Sequence, residues 1–124
     1  MLVGIGMDLV EIDRFRAVLA RTPGVRDRLF RPDERAYADA KRDPVERYAV
    51  RFAAKEAVMK ALGVGLGEIA MFDIEVVRAD SGAPSVRLHG KAAQVASDKG
   101  VSRWMLTLTH TDRTAQAIAV ALGE

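Results

Sequence analysis

The chain contains no cysteine, which excludes disulfides and thiolate metal sites. No apolar run approaches the ~20 residues needed to span a bilayer, so no membrane segment is expected. The start of the chain, MLVGIGMDLVEIDRF, has no basic region before its apolar stretch and carries acids. No signal peptide is expected, and a cytoplasmic protein is the simplest reading. Low-complexity tracts and internal repeats are also missing. Net charge is only +2, too small by itself to imply nucleic acid, and no aromatic pattern among the basic residues suggests base stacking.

What is present is ordinary for a globular protein: 124 residues, 49% apolar and 29% charged. That length fits a single domain, residues 1–124, around one core. The pattern reads as a strand over Leu2–Val10, where Gly4 and Gly6 admit a close backbone approach. A helix follows over Glu11–Thr22, with Ile12, Phe15 and Leu19 on one stripe, stopped by Pro23-Gly24. Pro32 opens a short helix to about Arg42. Asp43-Pro44-Val45-Glu46 reads as a capping box for a long helix that ends at Leu62 with Gly63 as its stop. Phe72–Ala79 and Ser85–Leu88 read as a hairpin, Lys91–Lys99 as a helix, and Trp104–Thr109 and Thr114–Leu122 as strands joined through Asp112-Arg113. The expected class is α+β, with an antiparallel-rich sheet packed on a long central helix.

Two acids sit where acids are out of place. Asp8 ends the first apolar run, and Glu56 lies inside RFAAKEAVMKALG, on the stripe traced by Val45, Ala49, Phe52 and Met59. A carboxylate pair from a strand end and a helix can hold a hard cation such as Mg²⁺, and Arg51, Lys55 and Lys60 beside it can hold phosphate. Simpler readings stand next to this one. Glu56 can pair with Lys60 across one helical turn, and Asp8 can cap the helix that follows. Glu11 and Asp13 are either extra ligands or favourable first-turn charges. The loop Gly63-Val64-Gly65-Leu66-Gly67 is either an anion-binding backbone or a plain connection. His110 ends a strand beside Thr111 and suits a base, a phosphate donor or a structural residue. Between Arg14 and Arg35, seven arginines face three acids, either as a solvated face or as a docking surface for an acidic partner.

Four segments in order, GIGMDLVEIDRF, RFAAKEAVMKALGVGLG, FDIEV with the Gly82–Pro84 turn, and LTLTHTDRTAQAIAVAL, make the chain resemble the short bacterial holo-acyl-carrier-protein synthases, which are 4′-phosphopantetheinyl transferases. The resemblance runs from about residue 3 to residue 122. It implies transfer of the phosphopantetheine arm of coenzyme A to a serine of apo acyl carrier protein, for fatty acid or polyketide synthesis. It further implies Mg²⁺ held by Asp8 and Glu56, with Glu56 or a water at the metal as base and Lys60 at the α/β-phosphates. Coenzyme A contacts are implied at Arg51, Lys55, Lys60, Gly63, Gly65, His110 and Thr111, and a carrier contact at Arg14. A homotrimer with sites between subunits is implied as well. The turn Ser81-Gly82-Ala83-Pro84 lacks the basic residue usual in the family at Ala83. The competing expectations are a Mg²⁺-dependent hydrolase of nucleotide pyrophosphates and a non-catalytic module that binds an acidic partner.

Overall fold

The computed structural model describes residues 1–124. The elements run β1 (Leu2–Glu11), α1 (Ile12–Arg21), α2 (Val25–Leu29), α3 (Pro32–Asp39), α4 (Val45–Leu62), a short 3₁₀ turn (Met71–Asp73), β2 (Ile74–Arg78), β3 (Pro84–Leu88), α5 (Gly90–Asp98), β4 (Arg103–His110) and β5 (Thr114–Leu122). The expected α+β class holds. The strands form two antiparallel sheets, β1-β5-β4 and the hairpin β2-β3. Helix α2 and the 3₁₀ turn were not expected. Both are short and hold no periodic apolar pattern that a sequence reading could detect.

The central packing is α4 against the three-stranded sheet, and small residues set its closeness. A Cβ on Gly4 would lie 1.9 Å from the Ala61 carbonyl oxygen, and one on Gly6 would lie 1.9 Å from that of Ala57. On β5, the alternate residues Ala115, Ala117, Ala119 and Ala121 are all buried. Glycine and alanine thus keep the sheet face low, and the helix backbone comes to rest almost directly on it. Leu106 and Leu108 of β4 pack at the margin of the same apolar cluster.

Helix α4 ends as expected. Gly63 is left-handed at φ 69°, and the Val64 N–H reaches the Met59 carbonyl at 3.1 Å, a common way to satisfy the last turn. Its start differs from the expected capping box. Pro44, not Asp43, is the first flanking residue, and no side chain caps the helix. The Asp43 carboxylate accepts two bonds from the Arg16 guanidinium, at 2.8 and 3.0 Å, while Glu46 takes the Lys41 ammonium at 2.7 Å. Charged donors hold these carboxylates most tightly, and the Asp43 carboxylate accepts only a longer bond, 3.3 Å, from the Val45 N–H at the helix start. The Arg16 partner also holds the Asp43 carboxyl below its usual range.

Lys55 corrects a sequence expectation. Expected at a phosphate, it is instead wholly buried on the far side of α4. Its ammonium donates to Glu34 at 2.9 Å, to the Met71 carbonyl at 3.0 Å and to the Ile74 carbonyl. All three N–H groups are used, so none is left for a ligand. Glu34 is equally buried and accepts from the amides of Arg31 and Val76, at 2.9 and 3.0 Å. The cluster ties α3, α4 and β2 together. Lys55→Met would strand the Glu34 charge in the core, and a loss of about 3–5 kcal/mol in denaturant unfolding is expected. A loss under about 1 kcal/mol, the size of an exposed pair, would contradict this role.

Candidate active site

Asp8 lies inside β1, paired with Ala117 of β5, and does not cap α1. Its side chain points to the α4 side of the sheet, two residues beyond Gly6. The contact of Gly6 with Ala57 therefore sets Asp8 beside the turn of α4 that carries Glu56 and Lys60. Lys60 donates to the Asp8 carboxylate at 3.1 Å and to the Met7 carbonyl at 3.0 Å. The Glu56–Lys60 pair considered from spacing does not form, because Lys60 turns to β1 instead.

Glu56 is left without a hydrogen-bond or ion-pair partner, half-buried beside Asp8. Burial, and then the Asp8 charge, push its carboxyl above the usual range, with Lys60 opposing. Such a carboxylate calls for a cation. The donors are all oxygen, and no third acid or histidine joins them. A pair of carboxylates with remaining positions for water and phosphate oxygens fits Mg²⁺, which seldom takes a complete protein cage. Glu11 and Asp13 do not extend the set; Glu11 lies 3.9 Å from Arg14 and Asp13 lies 4.0 Å from Arg16.

Asp8, Glu56 and Arg14 line one cavity of about 480 Å³, walled by Phe15, Phe52 and Leu29. Arg14 is 79% exposed at its mouth. The arginine surplus is narrower than sequence suggested. Arg16, Arg31 and Arg35 are paired with Asp43, Asp73 and Asp27, and Arg26 lies 5.3 Å from the Tyr48 ring. Arg14, Arg21 and Arg28 remain outward on α1 and α2.

A second cavity, of about 400 Å³, opens on another side of α4. Arg51 reaches it, as does His110, whose ring lies 3.5 Å from Glu46. Tyr37, Arg47 and Arg78 line it too, and sequence reasoning missed all three. Only the spacing of Arg47 and Arg51, four apart on one helix, offered a signal. The two cavities share no lining residue.

The remaining expected contacts have local partners. The Gly65 N–H donates to the Glu68 carboxylate at 2.8 Å, so it is not free for an anion. The Thr111 hydroxyl accepts from the amides of Arg113 and Thr114, each at 3.1 Å, and closes the β4-β5 turn. Gly63 serves as the helix stop, with open space where a side chain would stand.

A family model described as the 4′-phosphopantetheinyl transferase superfamily matches residues 4–121. The chain is 45% identical to a holo-[acyl-carrier-protein] synthase of Desulforudis audaxviator over 124 residues, which is 99% of this chain and 95% of that one. Its fold superposes on the crystal structure of the Neisseria meningitidis holo-[acyl-carrier-protein] synthase with a TM-score of 0.90 at 29% identity, covering 98% and 99% of the two chains. The Helicobacter pylori synthase in complex with coenzyme A gives a TM-score of 0.84 at 28% identity, over 95% and 99%. With these matches spanning nearly its whole length, the chain belongs to the holo-[acyl-carrier-protein] synthases of the 4′-phosphopantetheinyl transferase superfamily.

Proposed function

We propose that this protein transfers the 4′-phosphopantetheine arm of coenzyme A to a serine of an apo acyl carrier protein, that of fatty acid synthesis being the proposed acceptor. The observation that carries this reading is the unpartnered Glu56 carboxylate beside Asp8, Lys60 and Arg14. In the reaction the serine oxygen bonds to the β-phosphorus of coenzyme A. The bridging P–O bond breaks, and adenosine 3′,5′-bisphosphate leaves. Glu56, or a water at the metal, is proposed to take the serine proton. Lys60 uses two donors on Asp8 and Met7, and its third N–H is free for a phosphate oxygen. Asp8 and Glu56 would hold Mg²⁺, which would offset the charge of the pyrophosphate. Arg51 is proposed to meet the 3′-phosphate, with His110 at the rim of the same cavity.

Arg51 and Glu56 face separate cavities of one chain, which favours a coenzyme A molecule laid across two subunits. A surface for association exists. Ile5, Met7 and Leu9 of β1 stand outward with Met105 of β4 and Ile118 of β5, all exposed on one face of the sheet. A patch of this kind normally becomes an interface, and we propose that it joins the chains into a homotrimer with sites between neighbours. The proposed setting is cytoplasmic; no helix is long and apolar enough to cross a membrane.

The direct test is mass spectrometry of apo carrier after incubation with the protein, coenzyme A and Mg²⁺. A gain of one phosphopantetheine arm is expected. Coenzyme A cleavage that proceeds equally without carrier would indicate a hydrolase instead.

Arg14, Arg21 and Arg28 are proposed to dock the carrier through charge. Raising salt should then raise KM for the carrier more than KM for coenzyme A, since exposed pairs are screened within about 10 Å at 0.1 M salt. Arg14→Ala should weaken carrier use by about three- to tenfold and leave coenzyme A binding intact. Equal losses toward both substrates would contradict the division.

A further inference from the structure

Helix α1 presents Arg14 to the cavity of Asp8 and Glu56, yet little fixes how the helix is rolled about its own axis. Only one stripe of it is buried, Ile12, Phe15 and Leu19. No side chain caps its start, and the bond from the Ile12 N–H to the Arg113 carbonyl, at 2.8 Å, ties down that end alone. At mid-helix Phe15 rests on the Phe52 ring of α4, with centroids 4.9 Å apart. Apolar contact has no direction of its own, so a narrow stripe acts as a pivot.

Arg14 and Arg16 stand about 100° to either side of Phe15 on the helix. Arg14 has only Glu11 near it, at 3.9 Å, and both are exposed. Arg16 is anchored. Its Nη1 and Nη2 donate to the two oxygens of the Asp43 carboxylate at 3.0 and 2.8 Å, and Asp13 lies 4.0 Å from its Nε. Asp43 sits just before α4 and also accepts from the Val45 N–H. The fork therefore joins α1 to the start of the helix that carries Glu56. Two parallel bonds fix an orientation as well as a distance. Both side chains are about half exposed, so the pair adds little to global stability, and its removal leaves a folded protein to assay.

We propose that Arg16 and Asp43 are positioning residues: their forked pair, on the flank of Phe15 opposite Arg14, sets the roll of α1 and so aims the serine of a docked carrier at the cavity of Asp8 and Glu56. This inference rests on the transferase reading and on docking through Arg14, and it adds a pair that acts through that docking helix. Charge and position make opposite predictions for Asp43→Asn. Loss of the carboxylate makes the docking face more positive, and a face that worked by steering alone would take an acidic carrier better. A helix free to roll presents the serine poorly, and carrier use falls. Asparagine keeps an oxygen for the Val45 N–H, so the start of α4 is preserved.

The test is steady-state transfer from coenzyme A to apo carrier by the wild type, Asp43→Asn, Arg16→Met and the double variant, with thermal melts beside it. Each single variant should lower kcat/KM for the carrier by about three- to tenfold, and kcat at saturating carrier should fall as well, because a misaimed serine is not corrected by more carrier. KM for coenzyme A should stay within about twofold of wild type, and the melts should stay cooperative. The double variant should lose no more than the weaker single, since both changes remove one interaction. Carrier use that is unchanged or improved in Asp43→Asn would overturn the proposal. So would a change in KM for the carrier with kcat intact, additive losses in the double variant, or equal losses toward both substrates. If the wild type transfers nothing, the transferase reading fails, and amide hydrogen exchange decides the clamp by itself. Faster exchange confined to α1 is expected in Asp43→Asn, and exchange equal to wild type overturns it.

Discussion

Asp8→Ala and Glu56→Ala should each lower kcat/KM for transfer by at least about a hundredfold, the scale set by loss of a positioned base or of metal-assisted charge neutralisation. Both should remain folded. Asp8 is only 18% exposed at its side chain, yet its one ion pair is with Lys60, which is itself half in solvent. Glu56 supports no hydrogen bond that its loss would break. Glu56→Gln sharpens the distinction between a functional and a structural carboxylate. An acid whose folded-state pKa is raised contributes a penalty above that pKa and none below its ordinary value of 4.5. Replacing it with glutamine should therefore raise the Tm of metal-free protein at neutral pH, and the gain should vanish as pH falls below the ordinary carboxyl range. Activity should be lost in the same variant. Thermal melts across pH, beside transfer assays, check both halves. A Glu56→Gln protein that is both less stable and fully active would contradict the assignment.

Gly6→Ala should fail to give a stably folded protein, with a cost above about 4 kcal/mol, a size seen for severe overpacking or backbone displacement. The new methyl would lie 1.9 Å from the Ala57 carbonyl oxygen and 2.7 Å from the Ala61 amide nitrogen. Both obstacles are backbone atoms of a central helix, so no side chain can rotate away. Relief requires α4 to lift from β1. That movement opens the apolar contact along the sheet and carries Glu56 and Lys60 away from Asp8. The stability loss and the site loss thus share one cause. Circular dichroism with urea unfolding reads the first. A Gly6→Ala protein with wild-type stability would show that helix and strand are not in the contact described. The control is Gly24→Ala, where open space surrounds the added carbon and little change is expected.

The parts of the fold that local chemistry dictates could be read from sequence: the long helix and its glycine stop, the β4-β5 strands with their turn, and the two glycines of β1. Asp8 and Glu56 stood out because charge on an apolar stripe needs a reason. Lys55 was misread for an instructive cause. Its partner Glu34 is 21 residues away and its carbonyl partners belong to a turn and a strand with no helical relation to it. A lysine among basic neighbours on a helix reads as a ligand until the third dimension supplies a buried acid. Asp43 failed as a cap for the same reason, since Arg16 lies 27 residues away. Tyr37, Arg47 and Arg78 gather from three elements, and only Arg47 has a periodic relation to Arg51. Long-range pairing is what sequence spacing cannot carry.

The most direct measurement is calorimetric titration of Mg²⁺ into the protein in the presence of coenzyme A, wild type beside Glu56→Gln and Asp8→Ala. Saturable binding to the wild type and its loss in both variants is the expected result. Equal binding by all three proteins would contradict a cation site built from these two carboxylates.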